Sequence, residues 1–130
     1  MAVHNALGYG YKEEVYEKAL GVELTERNIA VVNQYPVSVD HAGQPVALFY
    51  LDLLVEEKVV VEIKAFSHSL TNDELAQVIN YLKATGVPVA LLFNFGRRKL
   101  EYRRIFPGNI ADQTVQRTGR DNVIRPEKNG

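Results

Sequence analysis

The sequence contains no cysteine, no tryptophan and a single methionine. Without cysteine the chain can form neither a disulfide nor a thiolate metal site, and a reducing, cytoplasmic location is expected. No apolar run approaches the roughly 18–20 residues of a membrane span, and no secretory signal is visible, so no membrane partner is expected. The sequence also lacks a phosphate-binding glycine loop. Its histidines are isolated, which leaves no serine–histidine–acid set with convincing spacing.

A basic excess is missing too. The 15 lysine and arginine residues are balanced by 16 acidic residues, which gives a formal net charge of −1. Proteins that bind nucleic acid alone usually show a basic excess, because phosphate neutralisation supplies most of the non-specific affinity. Any surface that contacts nucleic acid must therefore be confined to a local cluster of basic residues. One group of basic residues is the candidate, although these residues could equally well form a solvated hairpin tip. The group consists of Arg97, Arg98, Lys99, Arg103 and Arg104.

The apolar periodicity of this 130-residue chain predicts one α/β domain with the element order αβββαββ. A strand, helix, strand unit between residues 59 and 95 predicts a parallel crossover and hence a mixed central sheet flanked by helices. The last strand is expected at an edge. From residue 107 onward the apolar residues lose their period, so we expect a domain over residues 1–106 and an irregular or partly disordered tail over 107–130. The predicted helices cover residues 11–27 and 72–85, and the strands cover 29–40, 45–55, 59–65, 88–95 and 99–106.

Three charges lie in strands that are otherwise apolar. Asp52 lies near the end of one strand, and Glu62 and Lys64 lie inside the next, in the run VVVEIKA. Buried charges are usually paired or bind metal, since burying them alone is costly. Alternation along the strands predicts that a three-residue loop over residues 56–58 places Asp52 directly opposite Glu62, with Lys64 on the same face.

Two carboxylates on adjacent strands, with the backbone carbonyl of Ile63, could hold Mg²⁺ or Mn²⁺, which prefer oxygen ligands and keep several waters. Such a cation activates water for attack on a phosphodiester, and Lys64 could stabilise the negative charge that develops. Glu13, on the apolar stripe of the first helix, could add a ligand or act through a water. The alternative is a cross-strand salt bridge, with Lys64 neutralising either acid.

The second long helix carries Gln77 and Tyr81 four residues apart, and therefore on one face. That face flanks the helix's core stripe, so the pair could contact phosphate or support Lys64. A plain polar helix edge is the alternative interpretation.

These motifs together resemble the PD-(D/E)XK nuclease superfamily, whose core is αβββαβ. Asp52 matches the first acid, and Glu62-Ile63-Lys64 match the (D/E)-x-K element. Residues 77–81 resemble the Q-x-x-x-Y motif, and residues 10–16, GYKEEVY, look like the signature of the GxxExxY family within it. The resemblance covers roughly residues 3–106.

The resemblance implies a metal-dependent nuclease with a restriction-endonuclease-like core, acting on nucleic acid, with DNA the expected substrate. Asp52, Glu62, Lys64 and Glu13 would be its catalytic residues, and Tyr16 would join Gln77 and Tyr81 as supporting or substrate-contacting residues. The rival hypothesis is a non-catalytic nucleic-acid-binding or protein-binding module that keeps the fold. A homodimer, which would double the basic surface, is compatible with the sequence but not specified by it.

Overall fold

A computed structural model describes residues 1–107 in full and the backbone of residues 113–117 and 122–126. The helices are α1 (Ala2–Leu7), α2 (Glu13–Glu26) and α3 (Asn72–Thr85). The strands are β1 (Val31–His41), β2 (Gln44–Val55), β3 (Val59–Lys64), β4 (Val89–Asn94), β5 (Glu101–Ile105), β6 (Gln113–Arg117) and β7 (Asn122–Pro126).

The strands form a mixed sheet in the order β1-β2-β3-β4-β5-β7-β6. Strands β3 and β4 are parallel and joined through α3, which confirms the predicted crossover, whereas β1–β2, β2–β3 and β4–β5 are antiparallel. The prediction of β5 as an edge strand is wrong, because Arg104 of β5 pairs with Val123 of β7. Its imperfect apolar alternation has another cause: Glu101 and Arg103 occupy buried positions of this strand.

Helix α3 begins and ends where the sequence predicts. The Thr71 hydroxyl accepts a hydrogen bond from the Asp73 N–H, and Glu74 completes the capping box by accepting from the Thr71 N–H at 2.7 Å. Gly86 ends the helix with a positive φ of 76°, a conformation that glycine adopts without steric cost. The buried face consists of Leu75, Val78, Ile79 and Leu82, as predicted.

The two faces of the sheet pack against different helices. Helix α3 covers one face, where its buried side chains pack with Val60 of β3 and Leu92 of β4. Helices α1 and α2 cover the other face, where Tyr16 and Leu20 pack with Ile63. Helix α1 was not predicted from the sequence. On α2 the apolar side chain of Val22 is 61% exposed, so it lies outside this core.

The β1–β2 hairpin exchanges faces halfway along its length. In its inner half Leu53 packs with α2, whereas in its outer half Leu51 and Val37 pack with α3. The pairing has a gap at the exchange point, between Asn33↔Leu53 and Tyr35↔Leu51. The two residues that would fill this gap are Gln34 and Asp52, so the first predicted acid lies at a break in regular strand geometry.

The segment predicted as an irregular tail includes the strands β6 and β7, which pair antiparallel. The other residues after 107 lie outside the described part of the chain. Among the residues that are described, no helix is long and apolar enough to cross a membrane.

Candidate active site

The turn between β2 and β3 sets the register of the predicted acids. It consists of residues 56–58 and is closed by a hydrogen bond from the Lys58 N–H to the Val55 carbonyl at 2.9 Å. The ladder then pairs Val55 with Val59 and Leu53 with Val61. This confirms the predicted three-residue loop, and one further residue along the same register brings Asp52 to Glu62.

At that point side chains replace the backbone ladder. The Asp52 N–H donates to Glu62 Oε1 at 3.1 Å, and the Ile63 N–H donates to Asp52 Oδ2 at 2.8 Å. Each acid is therefore fixed by the opposite strand. The N–H and carbonyl of one strand residue point to the same side, so the Ile63 carbonyl also faces β2, next to Asp52.

Burial and mutual repulsion shift the protonation of this acid pair. Glu62 is only 4% exposed, and its burial, followed by the negative charge of Asp52, raises the pKa of its carboxyl from 4.5 to about 8. Burial also raises the pKa of Asp52, although the Ile63 N–H and Lys64 oppose that shift. Because the pKa of Glu62 lies at about 8, the acid pair holds one proton at neutral pH when no metal is bound.

Lys64 extends toward α3 from the end of β3. Its Nζ donates to Gln77 Oε1 at 3.3 Å, so the helix positions the ammonium group. The Tyr81 ring stacks on Phe49 of β2, with ring centroids 4.3 Å apart, and its hydroxyl has a pKa raised first by burial and then by the charge of Glu62. The predicted pair on α3 therefore lies at the acid–lysine cluster.

Glu13 approaches the same cluster from the other layer. Its carboxylate accepts a hydrogen bond from the Ala65 N–H, one residue after Lys64. Burial raises the pKa of Glu13 and the charge of Asp52 adds to this rise, while Lys64 lowers it. Glu13 thus belongs to the electrostatic environment of the site, although it is the first residue of α2 and largely exposed.

Tyr16 is not available to a substrate, because it is completely buried and its ring stacks on Phe95 with centroids 4.6 Å apart. The Tyr16 hydroxyl donates to the Gly8 carbonyl at 2.8 Å and accepts from the Tyr11 N–H at 3.2 Å. Of the two roles predicted for Tyr16, supporting or substrate-contacting, its burial excludes the substrate contact and leaves the supporting role. Tyr16 holds the loop that leads into Glu13, in which Gly10 has a φ of 111° that favours glycine.

The oxygen donors of the site fit a divalent cation held by two carboxylates. Over residues 1–107, no group of three or more histidine, aspartate or glutamate side chains is arranged to hold a metal ion. Asp52, Glu62 and the Ile63 carbonyl remain as donors. Magnesium accepts so few protein ligands because it keeps several waters.

The predicted basic group divides in the structure. Arg103 is 1% exposed and pairs with the buried Glu101 at 3.0 Å, so it cannot contact nucleic acid and that prediction is wrong. Arg97 is half-buried and donates to Ser69 Oγ at 2.6 Å. Three members of the group are exposed: Arg98, Lys99 and Arg104.

A buried asparagine missing from the predicted site holds the loop after Lys64. Asn94 accepts hydrogen bonds through Oδ1 from the N–H groups of Phe66 and Gly96, and donates through Nδ2 to the His68 carbonyl and to Glu101. In the sequence, Asn94 is a polar residue at the end of an apolar strand. Many strands end in this way, so the sequence gives no sign that its side chain is buried and holds a loop.

Glu17 was missed for a different reason. It is buried on α2 four residues after Glu13, and it accepts from the side chains of Asn33 and Gln34 on β1. Its partners lie 16 and 17 residues further along the chain on a strand, and no local pattern in the sequence relates them to a residue of α2.

An acid pair and a lysine where the ladder between two adjacent strands ends, in a mixed sheet between helices, define a restriction-endonuclease-like α/β protein. A family model of the PD-(D/E)XK nuclease superfamily matches residues 1–105, and the chain belongs to that superfamily. Comparison with curated proteins finds none that matches.

One solved structure, entitled "Crystal structure of SSO0001", is similar to this chain, with a TM-score of 0.61 and 16% sequence identity. The match covers 76% of this chain and 52% of that one, so this chain spans about half of its length. At this identity the likeness concerns the fold alone.

Proposed function

We propose that the protein is a Mg²⁺- or Mn²⁺-dependent nuclease that hydrolyses phosphodiester bonds of nucleic acid, with DNA as the substrate. The observation that carries the proposal is the acid pair: Glu62 is buried against Asp52 at the end of the β2–β3 ladder, with Lys64 two residues away. Two acids that share a proton in the metal-free protein form a site whose negative charge a divalent cation would neutralise.

In this proposal Asp52, Glu62 and the Ile63 carbonyl hold the cation, which supplies Lewis acidity to the scissile phosphate when bound. Lys64, oriented by Gln77, stabilises the negative charge that develops on the phosphate oxygens. Glu13 contributes through water, since it lies near Lys64 without joining the acid pair as a third ligand.

The proposal extends to the GxxExxY branch of the superfamily. Its support is that each signature residue has a distinct physical task. Gly10 adopts a positive φ, Glu13 accepts from the Ala65 N–H beside the site, and Tyr16 closes the intervening loop through its hydroxyl.

The test is cleavage of single-stranded, duplex, flapped and branched DNA, and of RNA, with Mg²⁺, Mn²⁺ or EDTA. Wild-type protein should cleave DNA only with metal. Asp52→Asn and Lys64→Ala should each lower the rate at least about 100-fold, the loss typical of removing one charge-stabilising group. Asp40→Asn and Lys58→Ala are matched controls on exposed positions of the same hairpin and turn, and should cleave normally.

Equal cleavage by the wild type and both site variants would refute the assignment of the site. Salt-sensitive DNA binding without turnover in either metal would instead favour the non-catalytic binding module.

A further inference from the structure

The break in the β1–β2 hairpin has an unusual backbone at its centre. Gln34 has a φ of 53°, a value that residues with a Cβ rarely adopt within a strand. It lies opposite Asp52, at the point where the pairing of β1 with β2 is interrupted between Asn33 and Tyr35. Strained residues of this kind persist only where surrounding contacts hold them, and they cluster at functional sites.

The Gln34 side chain provides those contacts. Its Nε2 donates to Glu17 Oε1 at 2.6 Å, and the same side chain hydrogen-bonds the Asp52 carboxylate. A glutamine amide carries two N–H donors, so one group can join two carboxylates. Glu17 is buried on α2 and is held in addition by Asn33 Nδ2 at 3.3 Å. The result is a continuous connection from helix α2 through β1 to the first acid of the site.

We propose that Gln34 is the positioning residue of Asp52, and that Glu17 anchors Gln34 so that the Asp52 carboxylate is held at the metal-binding geometry. The inference rests on the proposed function in one respect, the assignment of Asp52 as a metal ligand. A partner that orients a ligand is expected to matter nearly as much as the ligand itself, with losses of about 10–100-fold in metal affinity.

Gln34 itself is exposed, so its truncation opens no cavity in the core. Gln34→Gly suits the observed φ and removes the whole side chain. Because relief of the backbone strain offsets part of the hydrogen bonding lost at Glu17, a thermal unfolding midpoint close to that of the wild type is expected. Glu57→Gly is the matched control, because Glu57 also has a positive φ (57°) and is exposed, but lies in the β2–β3 turn. Gln34→Asn is a second variant that tolerates the backbone and is too short to span both carboxylates.

The first measurement needs neither metal nor substrate. Hydrogen exchange of the Ile63 amide, which donates to Asp52 Oδ2 at 2.8 Å, reports how firmly Asp52 is held. In EDTA, Gln34→Gly, Gln34→Asn and Glu17→Ala should each accelerate this exchange about tenfold relative to the Val61 amide, the order of the effect of weakening one hydrogen bond to a charged group. Glu17→Gln, which keeps an acceptor oxygen, should restore most of the protection, and Glu57→Gly should change nothing.

The second measurement is Mn²⁺ binding by calorimetry, in which the same variants should weaken the dissociation constant by about 10-fold or more. Unchanged Ile63 exchange in Gln34→Gly and Gln34→Asn would overturn the positioning role. If wild-type protein bound no Mn²⁺ while the exchange changed as expected, the proposed function would fail and the hold of Gln34 on Asp52 would stand.

Discussion

Asp52 and Glu62 fix each other across the end of a strand ladder: the Asp52 N–H donates to Glu62 Oε1 at 3.1 Å while their carboxyl groups share a hydrogen bond. Two acids in such contact repel when both are ionised, so one proton stays with the pair. A divalent cation would take the place of that proton. The protonation of the pair therefore couples metal binding, pH and stability.

The first prediction concerns stability against pH in EDTA. Because the pKa of Glu62 rises from 4.5 to about 8 on folding, the folded protein binds more protons than the unfolded chain between these values. The contribution of Glu62 to the free energy of unfolding should be fully present below pH 4.5, and it should be lost as the pH rises toward 8. The loss is at most about 5 kcal/mol, from about 1.4 kcal/mol per pKa unit. Urea unfolding at pH 5, 6, 7 and 8 measures it.

Glu62→Gln is the control for that slope, since the amide has the same shape and no charge. It should flatten the pH dependence and be more stable than the wild type at pH 8. A wild-type stability that rises between pH 5 and 8 would contradict the assigned protonation of Glu62.

A second prediction is the proton released by the metal. At pH 7 the binding of Mn²⁺ to the wild type should release close to one proton, because the shared proton must leave the acid pair. The affinity should increase as the pH rises from 6 to 8 and level off above the pKa of about 8. Calorimetry in buffers of different ionisation enthalpy measures this proton. Binding that is independent of both pH and buffer would mean that the cation does not bind at this pair.

Arg103 and Arg104 provide a third prediction, because they are adjacent in sequence and opposite in burial. Arg103→Ala leaves Glu101 buried without its 3.0 Å partner and should cost about 3–5 kcal/mol in the free energy of unfolding. Arg104→Ala, on the exposed side of β5, should change it by less than about 0.5 kcal/mol. Urea denaturation of the two variants is the measurement, and equal losses would contradict the buried position of Arg103.

The exposed cations Arg98 and Lys99 should affect binding without affecting stability. If they contact phosphates, the double variant Arg98→Ala/Lys99→Ala should bind DNA more weakly and with a log–log salt slope smaller by about 2. Fluorescence anisotropy at several salt concentrations measures the slope. Lys58→Ala on the β2–β3 turn is the control, and an unchanged slope in the double variant would identify this loop as a solvated hairpin tip.

A fifth prediction tests the loop before α2. Tyr16→Phe removes the hydroxyl that joins Gly8 to Tyr11 and should cost about 1–3 kcal/mol, the penalty of leaving buried partners unsatisfied. Tyr9→Phe, at a site 58% exposed, should be neutral. Thermal or urea unfolding compares the two variants. An equally small loss of stability in both would show that the Tyr16 hydroxyl does not hold the loop.

Much of this arrangement could be predicted from local sequence. The capping box at Thr71, the left-handed Gly86 and the odd-length turn before β3 each have a local signature, and the structure has all three. The superfamily could be predicted because its acids and its lysine lie close together in the sequence.

The rest depends on contacts between distant segments. Arg103 seemed a surface cation because nothing local in the sequence predicts that the carboxylate of Glu101 turns inward with it. Gln34 carries no pattern at all, since its positive φ and its bonds to Glu17 and Asp52 exist only when α2, β1 and β2 are assembled.

The face exchange at Gln34 and Asp52 also has a consequence for folding. On the side of α3, the inner half of the hairpin buries the even-numbered Leu54, whereas the outer half buries the odd-numbered Leu51 and Val37. This exchange works only when the break in β1 lies opposite the break in β2. A slip of one residue between these strands would separate the two breaks and turn apolar side chains to water in one half. A misaligned hairpin would therefore lose part of its core together with the acid pair, so correct alignment of these strands and assembly of the site depend on the same register.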